Sequence, residues 1–350
     1  MAQSPLLASA PELSSSPEIR PTPLDALGLT DMPTDLHFVR NHFDVPEVDA
    51  TTWCVEVGGA VETPTRLTLD DLRALPANTQ AVTLECAGHR RKEFEPVAQG
   101  VQWGVGAVAE ARWTGVPLEE ILLAARPSER ACEVVFEGAD CGAHRTTDDE
   151  VAFARSIPLG RALTGDVLLA WAMNGRPIPP KHGAPLRVIV PGVYAVASVK
   201  WLRRIDVLEE PFEGPFQADD YRMLGLSGNG NGEALHELGV NALIVSPQAE
   251  DMLDATAIAI SGVAWGGHGV ASVEVRVDSE PWRPAAVTTP NPPYGLAHWH
   301  TVVVGIDPGE HTLEVRAHDK DGFTQPALPR WNALGYANNS RHRVQITVGS

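Results

Sequence analysis

The C-terminal third of the chain alternates apolar and polar residues, and this pattern restricts the fold more than any other feature. Valine, leucine or isoleucine occupies every second position within residues 273–277, 313–315 and 344–348, and turn residues such as 307–309 separate the runs. Successive side chains of a strand point to opposite faces, so a period of two predicts strands with one buried face. Several such runs predict an antiparallel β-sandwich, which we place at residues 236–350.

The remaining residues predict an α+β chain of two domains. A length of 350 residues is typical of two domains, and 43% hydrophobic residues can form a sizeable core. Residues 1–30 are rich in proline and serine, which favours a disordered or surface-wrapping leader. Glycine and asparagine are concentrated at 225–232, so we expect the domain boundary there or shortly after it. The first domain would then cover residues 31–235.

Short helices and strands are expected within the first domain. A helix over 68–75 begins at a threonine suited to capping it, and two more short helices are expected over 107–113 and 117–125. An apolar strand over 132–137 is followed by a glycine-bounded turn that contains Asp140. Aspartates in such turns usually cap backbone amides, so a ligand-binding role for Asp140 is the minority interpretation of the local sequence.

The charge of the chain limits its partners. Asp and Glu outnumber Lys and Arg by 45 to 27, and this net charge of −18 argues against nucleic acids and anionic membranes. No run of about 18 apolar residues predicts a membrane-spanning helix. The N-terminus has no basic region followed by an apolar stretch, which predicts a cytoplasmic protein; a periplasmic location would require a removed export signal. Four cysteines without a Cys-x-x-Cys pair predict neither a disulfide framework nor a zinc ribbon.

A single cysteine lies beside a cluster of cations. Cys86 is followed by Arg90, Arg91 and Lys92. Nearby cations favour the thiolate, which is the form of cysteine that attacks electrophiles and binds metals. A lone cysteine is more often a small buried hydrophobe, however, so the local sequence leaves both interpretations open.

Two other stretches combine basic residues with rigid surroundings. Lys181, His182 and Arg187 lie in a proline- and glycine-rich segment, and Lys200 follows soon after. Proline stiffens such a segment, so these groups could be pre-positioned for an anion, and the alternative is a solvated basic edge. Residues 40–42, Arg-Asn-His, follow a short strand and could carry chemistry or form a solvated turn.

Five motifs in this order resemble the sulfite oxidase family of molybdenum-cofactor (molybdopterin) oxidoreductases, in particular its haem-free bacterial type. They are Phe-Val-Arg-Asn-His, Glu-Cys-Ala-Gly-x-Arg-Arg, Val-x-Trp-Gly, His-Gly-x-Pro-x-Arg-Val and Ser-Val-Lys-Trp-Leu, within residues 35–225. Each motif alone is weak, but five in order are specific. The resemblance implies a mixed α/β molybdopterin-binding domain followed by an immunoglobulin-like domain that forms a homodimer.

The resemblance also implies a site. A molybdenum ion would be held by the two sulfurs of a pterin dithiolene, by oxo groups and by one protein thiolate, and Cys86 matches the thiolate position. The positions that match holders of the pterin and its phosphate are Phe38, Val39, Asn41, His42, Asp140, His182, Arg187, Ser198, Val199 and Lys200. The positions that match the oxyanion pocket are Arg40, Arg91, Trp103 and Tyr221.

The implied activity is oxidation of sulfite to sulfate, with electrons passed to cytochrome c or oxygen because no haem or flavin segment is expected in this chain. Two positions depart from the family pattern: His89 replaces an asparagine, and Ala197 replaces an arginine near the pterin phosphate. The alternatives are a nitrate or sulfoxide reductase that uses a separate electron donor, and a non-catalytic β-rich binding protein with a structural cysteine.

Overall fold

The computed structural model describes residues 14–15, 17–147, 149–225, 232–235, 237–249, 251–253, 257–288 and 292–349. Within these residues the chain forms 23 strands and four short α-helices, and this confirms the α+β prediction. Residues 1–13 and 16 of the predicted leader, and 226–231 of the predicted boundary, lie outside the described residues, so both assignments stay predictions. No helix in the described part combines the length and apolar character that crossing a membrane requires.

The elements of the first part of the chain are short. The strands are β1 (Ser14–Ser15), β2 (Glu18–Arg20), β3 (Val39–Arg40), β4 (Cys54–Gly59), β5 (Thr65–Thr68), β6 (Asn78–Glu85), β7 (Val108–Pro117), β8 (Glu133–Ala143), β9 (Glu150–Pro158), β10 (Leu168–Met173), β11 (Arg176–Pro177), β12 (Arg187–Ile189), β13 (Leu202–Leu208), β14 (Arg222–Met223) and β15 (Glu233–Ala234). The helices are α1 (Leu69–Arg73), α2 (Leu118–Ala125), α3 (Leu159–Ala162) and α4 (Pro215–Ala218), with 3-10 helices at Leu24–Gly28, Thr34–Leu36, Arg91–Glu93, Pro180–His182 and Ala195–Ala197.

These strands form two five-stranded sheets and smaller ribbons. One sheet has the order β11-β10-β7-β6, with β12 also paired to β10, and the other has the order β5-β4-β13-β8-β9. Strand β13 runs parallel to β4, whereas the other pairs of both sheets are antiparallel. Apolar side chains from both sheets belong to one continuous core. Strands β1, β2 and β3 form a separate ribbon.

Two helix predictions are confirmed and one is wrong. Helix α1 begins after Thr68, whose hydroxyl accepts the Asp71 N–H at 3.2 Å. Helix α2 occupies the region predicted over 117–125. Residues 108–113 instead form the first part of β7, which pairs with β6 and β10. Their alanines, glutamate and arginine favour a helix, but pairing on both edges overrides this weak preference. Burial on alternate residues of β7, including Ala111 and Trp113, is the pattern of a strand.

The predicted turn around Asp140 is also wrong. Strand β8 continues through this position to Ala143, and the register against β9 shifts between Glu137 and Cys141. A β-bulge of this kind redirects side chains without ending the strand. The Asp140 side chain is therefore held by a sheet, and it is 4% exposed.

The N-terminal residues that are described pack against both parts of the chain. Strand β2 pairs with β3, and Ala26 and Leu27 are fully buried. The Asp25 carboxylate accepts a hydrogen bond from the Gln248 side chain, near the end of the first strand of the C-terminal part. This segment therefore covers the junction of the two parts.

The C-terminal part is a β-sandwich, as the alternating pattern predicts. Its strands follow the order β16-β18-β21-β20-β19-β22-β23-β17, and β20 pairs with both β19 and β21. Alternate side chains of these strands form a second core, separate from that of the first domain. The bounds are β16 (Asn241–Ser246), β17 (Met252–Leu253), β18 (Ala257–Trp265), β19 (Val270–Val277), β20 (Arg283–Val287), β21 (Ala297–Val304), β22 (Gly309–Asp319) and β23 (His342–Val348).

Buried polar contacts join the two domains next to the Cys86 motif. The Glu85 carboxylate accepts the indole N–H of Trp265 at 2.6 Å. The Arg90 guanidinium donates to the carbonyl oxygens of Ser340 at 2.5 Å and Arg341 at 3.2 Å, and it pairs with Glu93 at 2.7 Å. Burial raises the pKa of Glu85 to about 8, and the indole hydrogen bond opposes this rise. The interface therefore depends on polar groups that are costly to leave unpaired.

A buried histidine near this interface predicts loss of stability in acid. His342 Nδ1 accepts the Ile244 N–H at 3.1 Å, and burial lowers the pKa of His342 to about 3. Since the unfolded side chain binds a proton below pH 6.5, stability is lost as the pH falls from 6.5 towards 3. The contribution of His342 to the free energy of unfolding should fall by about 2 kcal/mol between pH 8 and pH 5.

The variant His342→Asn keeps an acceptor near Nδ1 and removes the titration. We expect the loss of unfolding free energy between pH 8 and pH 5 to be about 2 kcal/mol smaller than in the wild type. Urea unfolding at both pH values measures the difference. The exposed His300→Asn variant is the control and should keep the wild-type dependence. Equal pH dependence of His342→Asn and wild type would contradict the prediction.

Candidate functional site

One cavity brings together residues from distant parts of the first domain. Arg40 comes from β3, Cys86 follows β6, Asp140 comes from the bulge of β8, Arg187 begins β12 and Tyr221 precedes β14. The residues predicted from sequence that line this cavity are Phe38, Val39, Arg40, His42, Cys86, Asp140, His182, Arg187, Ser198, Lys200 and Tyr221.

The backbone fixes the direction of Cys86. Its N–H donates to the Ala107 carbonyl at 2.9 Å, which extends the pairing of β6 with β7 by one residue. Its carbonyl accepts the His89 N–H at 2.8 Å, which closes a turn. The side chain is half-buried, lines the cavity and forms no disulfide. The thiol is therefore available to a ligand within the cavity.

Two cations are held inside the cavity wall by backbone carbonyls. The Arg187 guanidinium donates to the His182 carbonyl at 2.7 Å and to the Ser198 carbonyl at 2.9 Å, and it lies 4.9 Å from the Trp113 ring centroid. Burial lowers the pKa of Arg187 to about 9. The Arg187 side chain therefore joins the segment around His182, which carries Lys181, to the segment around Ser198, which carries Lys200. Planar guanidinium groups suit such double contacts.

Lys200 is the second of these cations. Its ammonium donates to the Arg40 carbonyl at 3.1 Å and to the Asn41 side chain, and it lies 4.4 Å from the Trp201 ring centroid. Burial, together with the charge of Arg187, lowers the pKa of Lys200 well below its usual value. An anion in the cavity would favour the charged form of Lys200, because opposite charges stabilise one another at short range.

The cavity carries an excess of positive charge and several unpaired polar atoms. Among the described residues, four basic side chains line it (Arg40, Lys181, Arg187 and Lys200), against one carboxyl group, that of Asp140. Burial raises the pKa of Asp140 to about 6, although Lys200 opposes the rise. Among the described residues that line the cavity, the buried side-chain atoms without a protein partner are His37 Nε2, Asp140 Oδ1, His182 Nε2 and Arg187 Nε. Such atoms are costly unless a ligand or water pairs them.

Tyr221 and His42 form a hydrogen-bonded pair in the lining of the cavity. The Tyr221 hydroxyl lies 2.7 Å from His42 Nε2, and the His42 ring stacks on Phe153 at 4.6 Å. Burial holds the pKa of Tyr221 well above 10 and the pKa of His42 well below 6.5. Both side chains are therefore neutral at physiological pH. Arg40 lines the same cavity.

The other four predicted residues lie behind the cavity wall. Trp103 is fully buried, with its ring edge-on to Phe38 at 6.3 Å. Asn41 accepts the Lys200 ammonium, and Val199 is buried beside Lys200. Arg91 is 6% exposed and does not line the cavity. Its guanidinium donates instead to the backbone carbonyls of Leu334 and Val101. Their predicted roles in binding stay predictions.

The two departures from the family pattern also lie outside the cavity. The His89 ring is fully buried edge-on to Trp265 at 5.7 Å, and neither ring nitrogen has a protein partner. Burial lowers the pKa of His89 well below its usual value, so the ring is neutral. Ala197 lines a separate groove between the domains. The backbone N–H of His89 donates to the Cys86 carbonyl.

His37 is the main cavity residue that the sequence reasoning missed. It is 2% exposed, and its Nδ1 lies 3.1 Å from the Phe38 carbonyl. Its ring centroid lies 5.3 Å from that of His182, and burial lowers the pKa of His37 to about 3. Its position next to Phe38 was the only signal in the sequence. Lys181 also lines the cavity, and the sequence predicts for its segment either pre-positioning for an anion or a solvated basic edge.

Comparison with known proteins gives a consistent result. Residues 42–216 match the family described as oxidoreductase molybdopterin binding domain, and residues 232–349 match the Mo-co oxidoreductase dimerisation domain. The crystal structure of the sulfane dehydrogenase SoxCD from Paracoccus pantotrophus is similar, with a TM-score of 0.83 and 28% sequence identity, covering 95% of this chain and 85% of that chain.

Relatives with two activities are similar over most of this chain. Mitochondrial sulfite oxidase of Mus musculus is 35% identical over 341 residues, and nitrate reductase [NAD(P)H] of Hordeum vulgare is 36% identical over 349 residues. Both comparisons cover 90% of this chain, but only 61% and 39% of the respective relatives. The non-catalytic alternative is therefore wrong, and the predicted family and fold class are confirmed. This chain belongs to the sulfite oxidase family of molybdenum-cofactor oxidoreductases.

Proposed function

We propose that this protein oxidises sulfite to sulfate by oxygen-atom transfer and passes the electrons to an external acceptor such as cytochrome c or oxygen. The observation that carries the proposal is the half-buried thiol of Cys86 in the same cavity as four cations. In the overall reaction, sulfite gains one oxygen atom from water and releases two protons and two electrons. A small anion needs such a local positive site in a chain with a net charge of −18.

The residues of the cavity fit a molybdenum–molybdopterin cofactor. Within the described residues, no group of three or more His, Cys, Asp and Glu side chains could hold a metal ion, so the chain would supply one ligand, Cys86, to a metal whose other ligands come with the cofactor. When bound, that cofactor supplies the redox change and the oxygen-atom transfer. The residues that would hold it are Phe38, Val39, Asn41, His42, Asp140, His182, Arg187, Ser198, Val199 and Lys200.

The buried cations and unpaired atoms support this assignment. Arginine and lysine are the preferred partners of phosphate, and Arg187 and Lys200 are already oriented by backbone carbonyls. A polar ligand would also pair His182 Nε2 and Asp140 Oδ1, each of which otherwise costs about 1–3 kcal/mol. The chain therefore has the donors and the charge that a phosphorylated ligand requires.

Arg40, Tyr221 and His42 would form the substrate end of the cavity. Arg40 supplies positive charge, and its guanidinium donates to the Asn41 carbonyl, which limits its movement. The neutral Tyr221–His42 pair can donate a hydrogen bond to an oxyanion without adding negative charge. Arg91 and Trp103 would support this end from behind. Orienting the anion in this way lowers the entropy cost of reaction.

Nitrate or sulfoxide reduction with a separate electron donor is the second candidate. The similarity to the Hordeum vulgare nitrate reductase favours it. The Lys92-Glu93 pair, which follows the Cys86 motif, does not lie in the cavity. Lys92 is exposed, and Glu93 pairs with Arg90 at the domain interface. These two residues therefore say little about the substrate.

A substrate screen on purified, molybdenum-loaded protein tests the proposal. We expect sulfite-dependent reduction of cytochrome c or ferricyanide, or sulfite-dependent oxygen uptake. The matched assays for the second candidate measure reduction of nitrate, and of a sulfoxide, with reduced viologen as the electron donor. Absence of sulfite turnover with all three acceptors would sink the proposal, and nitrate turnover alone would favour the second candidate.

The partners follow from the same proposal. Residues 232–349 match a dimerisation domain, so we propose a homodimer formed through the C-terminal sandwich. Sedimentation of the purified protein at several concentrations tests this. A monomer throughout would contradict it.

A further inference from the structure

A segment of the C-terminal part reaches into the core of the first domain. The Tyr336 ring is 9% exposed and belongs to the first domain's core rather than to the core of the sandwich. It stacks on the Tyr221 ring, with centroids 5.1 Å apart and an angle of 11° between the planes. Tyr221 lines the cavity, so Tyr336 lies directly behind a cavity residue.

The same ring contacts Arg91 as well. The Arg91 guanidinium carbon lies 5.0 Å from the Tyr336 centroid. Arg91 Nε also donates to the carbonyls of Leu334 at 2.9 Å and Gly335 at 3.2 Å. One short stretch of the C-terminal part therefore holds two residues that the first domain contributes to the substrate end.

The backbone around Tyr336 is firmly fixed. Its N–H donates to Asn332 Oδ1 at 3.0 Å, and Asn332 Nδ2 donates back to its carbonyl at 2.8 Å. The Ala337 N–H donates to the Ala87 carbonyl at 2.9 Å, one residue after Cys86. At Gly335, φ is +60°, and a side chain there would lie 2.7 Å from Arg91 Cγ. The glycine thus permits the close approach that places the tyrosine.

We propose that Tyr336 is a positioning residue that fixes Tyr221 and Arg91, so that substrate affinity depends on a side chain of the C-terminal domain. The inference rests on the proposed function, which places Tyr221 at the substrate end of the cavity and Arg91 behind it as a support. Tyr221 needs external support because its φ is 57°, a conformation that non-glycine residues rarely adopt. The flat ring of Tyr336, stacked on Tyr221, supplies that support.

Steady-state kinetics of two variants distinguishes the contribution of the Tyr336 aromatic ring from that of its hydroxyl. In Tyr336→Leu we expect the KM for sulfite to rise about tenfold, with kcat and cofactor content near wild type, because one aromatic contact is lost. Tyr336→Phe keeps the stack and should restore a KM close to wild type. Tyr294→Leu is the control, because Tyr294 is a tyrosine of the C-terminal domain that does not line this cavity. Its KM should be unchanged.

Tyrosine NMR tests the geometry without any turnover. The chain has four tyrosines, so protein labelled at the phenolic carbon gives four resonances that substitutions can assign. Tyr336→Leu should shift the Tyr221 resonance, because the ring current of its neighbour is lost, and should leave Tyr194 unchanged. An unshifted Tyr221 resonance would overturn the inference, as would an unchanged KM in an active enzyme. If the wild-type protein lacks sulfite turnover, the proposed function fails. The NMR result alone then decides whether Tyr336 positions Tyr221.

Discussion

We expect Cys86→Ser to abolish oxygen-atom transfer while the protein still folds and binds the pterin. Serine offers a hard alcohol oxygen in place of a soft thiolate, which suits a redox-active metal poorly. Turnover per bound molybdenum should fall by more than about a hundredfold, since changes behind a metal ligand already cost about 10–100-fold. The measurement is sulfite turnover normalised to molybdenum content, together with pterin content.

A matched substitution shows whether the effect belongs to the cavity. Cys132 is an exposed free cysteine that does not line the cavity, so Cys132→Ser should keep wild-type turnover. Wild-type turnover in Cys86→Ser at full molybdenum content would mean that the metal has no ligand at this position.

The second large effect is expected for Lys200→Gln, which removes one cation from the cavity and keeps a polar side chain. A hydrogen bond to a charged group contributes about 1.5–3 kcal/mol, so affinity for a phosphorylated cofactor should fall about 10–100-fold. Pterin released from equal amounts of purified protein measures the loss, and a melting curve checks that the variant is folded.

The control for this prediction is Lys320→Gln. Lys320 is exposed on the C-terminal domain, so its substitution changes the net charge equally without touching the cavity. Its pterin content should match the wild type. Full pterin retention by Lys200→Gln would remove this lysine from the group that holds the cofactor.

The sequence predicts the fold well where burial leaves a simple pattern. The sandwich strands bury alternate residues, and this period of two is visible directly in the sequence. Strand β7 was missed because its residues favour a helix individually, and only pairing with β6 and β10 makes them a strand. The continuation of β8 through Asp140 was missed for a similar reason: glycines there accompany a bulge and not a turn.

The sequence predicts the positions of the candidate site better than the directions of its side chains. Motifs place Arg40, Cys86 and Lys200 together, and the fold brings them to one cavity. Local sequence gives no sign that Arg91 turns towards Leu334, a residue 243 positions later. Nor does it reveal Tyr336, because that contact joins two domains. Such long-range contacts depend on how the domains dock, which no local pattern encodes.

The polar contacts that flank Cys86 limit how this protein can be recombined with its relatives. Glu85 and Arg90, on either side of the thiol, are both anchored in the C-terminal domain, through Trp265 and the Ser340 carbonyl. A chimaera that exchanged the sandwich for that of a relative would leave these buried groups without partners unless the same contacts were carried along. Cutting the chain between its two family domains therefore does not yield interchangeable parts.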